Sequence, residues 1–292
     1  GYGAIYLRGA LGVTIHNCSV GPARNAFGLF LSDCQDADLR LLHISGVSKS
    51  PARFYGLKRA VLAFSLFEDS AYDAHANKFN FYEGSDAVLV YGVRCREVGG
   101  YATYQEASRI HFAFCEINCA PLSQNRALVS QNRGAGDGQG GSDGSGDPVA
   151  GTTFYYWNNS LLVDRRHADR ANSLHLGPHD NSQHHVVHNN ILHGGGFSSI
   201  YLKGADPSRE TRSHNRYTGF SHWQTLRYGW RMAKGEAAMP IGGRPGHDGL
   251  DMRPIIATEL APLFPGFTDW DRDIDGAPVD WGRPPIGCST AV

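Results

Sequence analysis

Residues 29–41 read LFLSDCQDADLRL, which is two short runs of alternating apolar residues joined by a polar stretch. Runs like the first begin at positions 5, 29, 54, 79, 102, 128, 174 and 200, so they are 23 to 26 residues apart except for one interval of 46. Runs like the second begin at positions 13, 39, 61, 88, 110, 154 and 186. Self-similarity at a fixed period of this length is typical of repeat proteins.

Two strands in a repeat of about two dozen residues predict a right-handed parallel β-helix, an all-β solenoid of about eight coils. One coil cannot bury its inward side chains alone, but coils stacked ~4.8 Å apart let each strand bond to the strands above and below. Asn or Cys often follows the second run, as in Trp157-Asn158-Asn159 and His188-Asn189-Asn190. We expect these asparagines to bond their equivalents on neighbouring coils.

Two other architectures with short strands fit less well. A β-sandwich should show hairpin turns between adjacent alternating runs. The Asp-Gly pairs begin at Asp137, Asp143, Asp248 and Asp275, and none lies between the repeat strands. A leucine-rich repeat is excluded because its consensus does not recur. The parallel β-helix is therefore the favoured fold.

The repeat divides the chain into residues 1–219, which form the coils, and residues 220–292, which we expect to form an irregular C-terminal cap on the open end of the same domain. The long interval contains a Gly- and Asp-rich insertion at 134–151. Its aspartates leave calcium open as a cofactor, although a mobile surface loop is the favoured interpretation. No other metal site is expected.

Composition excludes several classes of partner. The formal net charge is −1, so no basic stripe for nucleic acid is expected. No apolar run is long enough to span a bilayer. The six cysteines include no CxxC pair of the kind that binds structural zinc. We expect a monomer. No signal peptide is visible at Gly1, where the chain begins inside a strand-like pattern, so we expect further residues upstream.

Ligands of a β-helix lie across the outward face of one sheet, where outward residues of successive strands form ladders. If Phe79 and Phe81 point inward, their neighbours point outward, and the same reasoning applies to later coils. The resulting stripe of cationic, amide and aromatic groups consists of Lys78, Asn80, Tyr82, Tyr101, Gln105, His175, Tyr201 and Lys203. Arg94 is a second-line candidate.

This stripe suits an acidic polysaccharide, and the predicted activity is that of a lyase. Eliminating a uronic acid needs a base for the C5 proton and a group that neutralises the carboxylate. The catalytic candidates are Lys78, His175, His179 and Lys203, and the binding candidates are Asn80, Tyr82, Arg94, Tyr101, Gln105 and Tyr201. A non-catalytic carbohydrate-binding, adhesin or surface-structural solenoid is the alternative. Glycoside hydrolysis or epimerisation ranks lower, because hydrolysis needs two facing carboxylates and few lie near the stripe.

Two segments resemble known families. Asp271–Pro278, followed by Pro285-Ile286-Gly287, resembles the closing segment of many secreted bacterial β-helix proteins of pectin-lyase-like fold. This resemblance implies a secreted or cell-surface bacterial protein. Gly177–Ser182 resembles the Asp-Pro-His-Asp-x-Ser motif of mannuronan C5-epimerases, in which His179 matches the catalytic histidine. Gly177 and Leu174 stand where that family has its catalytic aspartate and tyrosine, which argues against the same epimerase mechanism.

Overall fold

The computed structural model is a parallel β-helix, as the repeat predicts. It describes residues 3–71, 77–82, 84–99, 102–104, 107–118, 126–130, 153–162, 172–176, 184–193, 200–202, 210–218, 232–240, 244 and 246–290. In the strands at 102–104, 126–130, 172–176 and 200–202, and at 193, it describes the backbone alone. No helix of the described residues is long and apolar enough to cross a membrane.

Three parallel sheets form the walls of the solenoid. The first sheet has eight strands: β1 Gly3–Arg8, β4 Phe27–Ser32, β7 Ala52–Tyr55, β10 Phe79–Tyr82, β13 Ala102–Tyr104, β16 Arg126–Ser130, β19 Asn172–Leu176 and β22 Ile200–Leu202. The second also has eight: β2 Thr14–His16, β5 Gln35–Arg40, β8 Lys58–Ala63, β11 Asp86–Tyr91, β14 Ser108–Ala113, β17 Thr153–Trp157, β20 His184–His188 and β23 Glu210–Ser213.

The third sheet is built from shorter strands, and it corrects the expectation of two strands per repeat. Its nine members are β3 Ser19–Val20, β6 His43–Ser45, β9 Leu66–Ser70, β12 Arg94–Val98, β15 Glu116–Asn118, β18 Ser160–Leu162, β21 Ile191–His193, β24 Arg216–Thr218 and β25 Ala237–Ala238. The number of coils therefore differs slightly from the predicted eight.

The core is the interior of the solenoid, where the inward side chains of the three sheets stack in columns. In the first sheet Leu31 pairs with Phe54, and Phe54 pairs with Phe81, so inward residues stack directly above one another. All three are completely buried, and the rings of Phe54 and Phe81 stack 5.2 Å apart. The pleat then directs the intervening residues outward, which creates the exposed ladders of this sheet.

The corner between the second and third sheets has the same conformation in every coil. One residue of each corner has a φ between +49° and +61°. These residues are Asn17, Leu41, Phe64, Gly92, Phe114, Asn158, Asn189 and His214. Left-handed backbone suits Gly and Asn, and it costs other residues ~1–2 kcal/mol. The repeated corner turns the chain sharply from the second sheet into the third.

The residue after this corner points inward, and in three successive coils it is a completely buried asparagine. Asn159 donates to Oδ1 of Asn190 at 3.0 Å, and Asn190 donates to Oδ1 of Asn215 at 3.1 Å. The Oδ1 of each asparagine also accepts a hydrogen bond from a backbone N–H of the preceding coil. The first of these bonds runs from Cys115 N to Asn159 Oδ1, at 3.0 Å. The predicted bonding of asparagines between coils is confirmed. Such a ladder satisfies polar groups that no water can reach.

The ladder ends on a buried carboxylate. Oε1 of Glu236 accepts bonds from Asn215 Nδ2 at 2.8 Å and from the hydroxyl of Tyr217 at 2.6 Å. Its other oxygen accepts the backbone N–H of Ala233 at 2.7 Å. The carboxylate therefore completes a polar column inside an otherwise apolar solenoid.

Residues 246–290, which we call the strap, run along the side of the solenoid. The strap begins beside the last coil, where Asp248 pairs with Arg216 at 2.6 Å, and reaches the second coil, where Asp269 pairs with Arg40 at 3.2 Å. It contains short α-, π- and 3-10-helical turns at Arg253–Ile255, Ile256–Leu260 and Ala261–Leu263. This described part of the predicted cap thus lies along a lateral face of the solenoid.

The strap buries the outward face of the second sheet in a second apolar cluster. The sheet contributes residues such as Leu89, Tyr91, Phe114 and Trp157, and the strap contributes Met252, Leu260, Phe264, Phe267 and Trp281. The rings of Tyr91 and Phe267 lie 4.8 Å apart. The motif at Asp271–Pro278 folds back on itself, because Oδ1 of Asp273 accepts the backbone N–H groups of Asp275 and Ala277, each at 2.9 Å.

Candidate functional site

The outward face of the first sheet carries a ladder of polar and aromatic residues at one register position. Tyr6 pairs with Phe30, Phe30 with Arg53, and Arg53 with Asn80. The same position continues along the backbone through Thr103, Val129, His175 and Tyr201. A neighbouring ladder joins Ser32, Tyr55 and Tyr82. The strap covers the outward face of the second sheet, whereas the first sheet presents these aligned side chains on its outward face.

Arg53 is the centre of this face. Its guanidinium carbon lies 4.6 Å from the ring centroid of Phe27, 5.9 Å from Phe30, 5.0 Å from Tyr55 and 5.5 Å from Tyr82. The rings also contact one another, with centroids of Tyr55 and Tyr82 5.0 Å apart. We call Phe27, Phe30, Arg53, Tyr55, Asn80 and Tyr82 the aromatic–arginine patch. Cation–π contacts of this kind hold the guanidinium in one place.

Hydrogen bonds orient the polar groups of the patch. Nη2 of Arg53 donates to the hydroxyl of Tyr55, and Nδ2 of Asn80 donates to the hydroxyl of Tyr82 at 2.5 Å. Nε of Arg53 is buried and has no hydrogen-bond partner among the described residues. That N–H has almost no exposed surface, so a carboxylate would have to bind the guanidinium through its terminal nitrogens.

Lys78 does not lie on this face as a solvated side chain. It was expected to point outward beside Asn80, but it is completely buried. Asn80 does lie outside the apolar columns, between Phe79 and Phe81 on the same strand, and is only 3% exposed. Tyr82 is half-buried within the patch. The outward alternation is therefore confirmed for Asn80 and Tyr82, whereas Lys78 has no surface with which to contact a polymer.

The remaining candidates of the stripe fall partly outside the described residues. His175 and Tyr201 occupy the same register position as Arg53 and Asn80, and only their backbone is described. His175 is four rungs from Arg53, or ~19 Å at the spacing of parallel strands, so it would face a different sugar residue. Tyr101, Gln105, His179 and Lys203 lie outside the described residues, as does the insertion at 134–151 with its candidate calcium ligands.

Arg94 lies on the third sheet, away from the patch. Its guanidinium pairs with Asp275 of the strap, and its Nε lies 3.5 Å from a carboxylate oxygen of Glu116. Arg94 therefore lies apart from the patch, and its predicted role in substrate binding stays a prediction.

Two patch residues, Arg53 and Tyr55, were missed by the sequence reasoning. The run that begins at 54 predicts a strand, but the predicted stripe does not include the outward residues of that coil. The signal was available, because alternation with inward Phe54 places both residues outward. Register with Phe30 and Asn80 would have completed the site.

Several titratable groups lie under the strap, where a polymer cannot reach them. His111 is completely buried, and burial lowers its pKa to about 3. Burial likewise lowers the pKa of His188 to about 4 and raises that of Tyr155 to about 12. These groups stabilise or destabilise the fold with pH but do not offer acid–base chemistry to a ligand on the first sheet.

The part of the chain that the structure describes contains no group of three or more His, Cys, Asp and Glu side chains arranged to hold a metal ion. Five cysteines are described, and all of them are free: Cys18, Cys34, Cys95, Cys115 and Cys288. No protein-family model matches the chain, and a search of curated proteins finds no match. The assignment of function therefore depends on the geometry of the patch.

Proposed function

We propose that this chain binds an acidic polysaccharide across the aromatic–arginine patch and cleaves it by β-elimination. The observation that carries the proposal is the guanidinium of Arg53, which is held against four aromatic rings on the outward face of the first sheet. A uronic acid presents both groups that such a site takes, a carboxylate for the guanidinium and an apolar C–H face for the rings.

The chemistry of elimination assigns roles to three residues. Arg53 neutralises the carboxylate, whose charge grows as the C5 proton leaves. Tyr55, as the phenolate, takes the C5 proton, and the C5–H electrons form the C4–C5 double bond. The C4–O bond breaks with its electrons on the leaving oxygen, to which Tyr55 returns the proton. Tyr55 is the proposed base, because its oxygen sits beside the guanidinium that would hold the carboxylate. Asn80 is a positioning residue for the hydroxyl of Tyr82.

The experiment incubates the protein with pectate, alginate, hyaluronan and chondroitin sulfate and follows the ultraviolet absorbance of the unsaturated uronyl product. Tyr55→Phe should keep binding and reduce product formation at least ~100-fold, the usual contribution of a general base. Arg53→Gln should weaken binding as well as cleavage. Tyr6→Phe is the matched control, because Tyr6 lies on the same ladder outside the patch and is 37% exposed.

The buried state of Lys78 favours a second candidate, a non-catalytic carbohydrate-binding solenoid. In that case no polymer would yield an unsaturated product, and affinity would fall with Arg53→Gln but not with Tyr55→Phe. Full cleavage by Tyr55→Phe would refute the assigned base. Unchanged binding and cleavage by Arg53→Gln would refute the site.

A further inference from the structure

A groove that the proposed function does not use runs along the corner between the second and third sheets, beside the strap. It encloses about 540 Å³. We call it the corner groove; its apolar lining includes Leu41 and Phe64, and its charged lining includes Arg94, Arg96, Asp269 and Asp275. Leu41 is 56% exposed, which is unusual for a large apolar side chain. The lining therefore combines apolar surface with charge.

The charges of the corner groove are predominantly positive, with four arginines against two aspartates. Three of the arginines have ion-pair partners: Arg40 and Arg272 pair with Asp269, and Arg94 pairs with Asp275. Arg96 is exposed and has no ion pair with any described residue. A hydrogen bond from Arg94, reinforced by the charge of Arg96, holds the pKa of Asp275 below its usual value, so that carboxylate stays ionised.

We propose that the corner groove is a second binding site for a carboxylate-bearing sugar, separate from the aromatic–arginine patch. The identity of the polymer follows from the proposed function. The apolar lining from Leu41 and Phe64 takes the C–H face of a sugar ring, and the guanidinium of Arg96 takes the carboxylate. Arg94, a predicted substrate-binding residue, lies in this groove.

The placement of the two sites has a consequence for binding. The patch uses β4, β7 and β10, and the corner groove uses the corners of the same region of the solenoid but on a different face. One stretch of polymer cannot follow both faces. Two chains, or two distant segments of one chain, can therefore bind together, and the resulting avidity holds the protein on a polymer network more tightly than on a short oligomer.

The test is isothermal titration with trigalacturonate and trimannuronate, and with methyl-esterified trigalacturonate as the uncharged control. The wild-type protein should bind two molecules of at least one acidic trimer. Arg96→Gln should weaken the second site at least about tenfold, the loss expected for one charged hydrogen bond. Leu41→Asp should also weaken it, because it removes apolar surface and places a like charge beside the ligand's carboxylate, and both variants should leave the first site unchanged. Leu11→Asp is the matched control, because Leu11 is 74% exposed and lies outside the groove.

The variants separate failure of the corner groove from failure of the patch. Unchanged stoichiometry and affinity in natively folded Arg96→Gln and Leu41→Asp would overturn the groove as a site. A single site that Arg53→Gln removes would also overturn it and leave the proposed function standing. A single site that only the groove variants remove would uphold the groove and refute the patch. Absence of binding by both acidic trimers would overturn both.

Discussion

The asparagine ladder gives the sharpest test of how the solenoid is stabilised. Asn190 is completely buried and accepts the backbone N–H of Asn159 at 2.9 Å, while its amide donates to the carbonyl of Tyr156 at 2.9 Å. The substitution Asn190→Val keeps the size of the side chain nearly unchanged but removes these bonds. It leaves a buried N–H on Asn159 without its acceptor.

The expected loss can be estimated from these contacts. An unsatisfied buried group costs about 1–3 kcal/mol, and the other lost bonds add about 1 kcal/mol, so the free energy of unfolding should fall by about 3 kcal/mol. For a domain of this size each kcal/mol lowers the melting temperature by roughly 2–4 °C, so the melting temperature should fall by roughly 6–12 °C. Chemical denaturation followed by far-ultraviolet circular dichroism measures the first quantity.

A double-mutant cycle with Asn159→Val tests whether the ladder acts as a unit. The two side chains share the bond from Asn159 Nδ2 to Asn190 Oδ1, so the double variant should lose less than the sum of the single variants, by about 1 kcal/mol. Asn25→Gly is the control, because Asn25 is exposed and has a φ of 57° that Gly tolerates. A loss below about 1 kcal/mol in folded Asn190→Val, or strict additivity, would refute this account.

Three further predictions concern the fold. Because burial lowers the pKa of His111 to about 3 and of His188 to about 4, both neutral in the fold, stability should be complete above the unfolded value of 6.5 and fall as the pH drops from there. The contribution of His111 alone should lower the free energy of unfolding by ~2 kcal/mol at about pH 5. A free energy of unfolding that rises on acidification would contradict this. Phe267→Ala should lower the free energy of unfolding in denaturant by ~3–5 kcal/mol and speed proteolytic cleavage of the strap. An unchanged rate of cleavage would show that the strap does not depend on this contact. Gly28→Ala should lower the melting temperature and Gly266→Ala should not, since a Cβ at Gly28 would lie 2.5 Å from the carbonyl oxygen of Pro51 and one at Gly266 contacts nothing within 4 Å; equal melting temperatures would contradict the clash.

The sequence predicted the fold well because inward residues recur at a fixed spacing. The columns through Leu31, Phe54 and Phe81 were visible as alternation, and the asparagine ladder was visible as repeated Asn pairs. The third sheet was missed because its strands are short and several bury a single large residue, such as Phe67 in β9. Such a strand has no alternation to detect.

The site was predicted less completely, for physical reasons that differ between residues. Alternation sufficed to place Asn80 and Tyr82 outward, and it would have placed Arg53 there as well. The burial of Lys78 depends on what covers the sheet, which local pattern does not encode. Arg94 lies on the third sheet, which the sequence did not predict, and Asp275, the strap residue that pairs with it, comes 181 residues later in the chain.

The strap changes how the solenoid is expected to unfold. In a bare solenoid each coil contacts only its neighbours, so the ends fray first and melting can proceed coil by coil. Here one segment touches coils from Arg40 to Arg216, which links positions that would otherwise communicate only through the stack. Fraying that reaches the second coil from one end, or Arg216 from the other, must break strap contacts that also hold the middle. Between these coils the nearest-neighbour description therefore gives way to all-or-none behaviour, and slow amide exchange should extend out to the second coil at nearly the level of the centre.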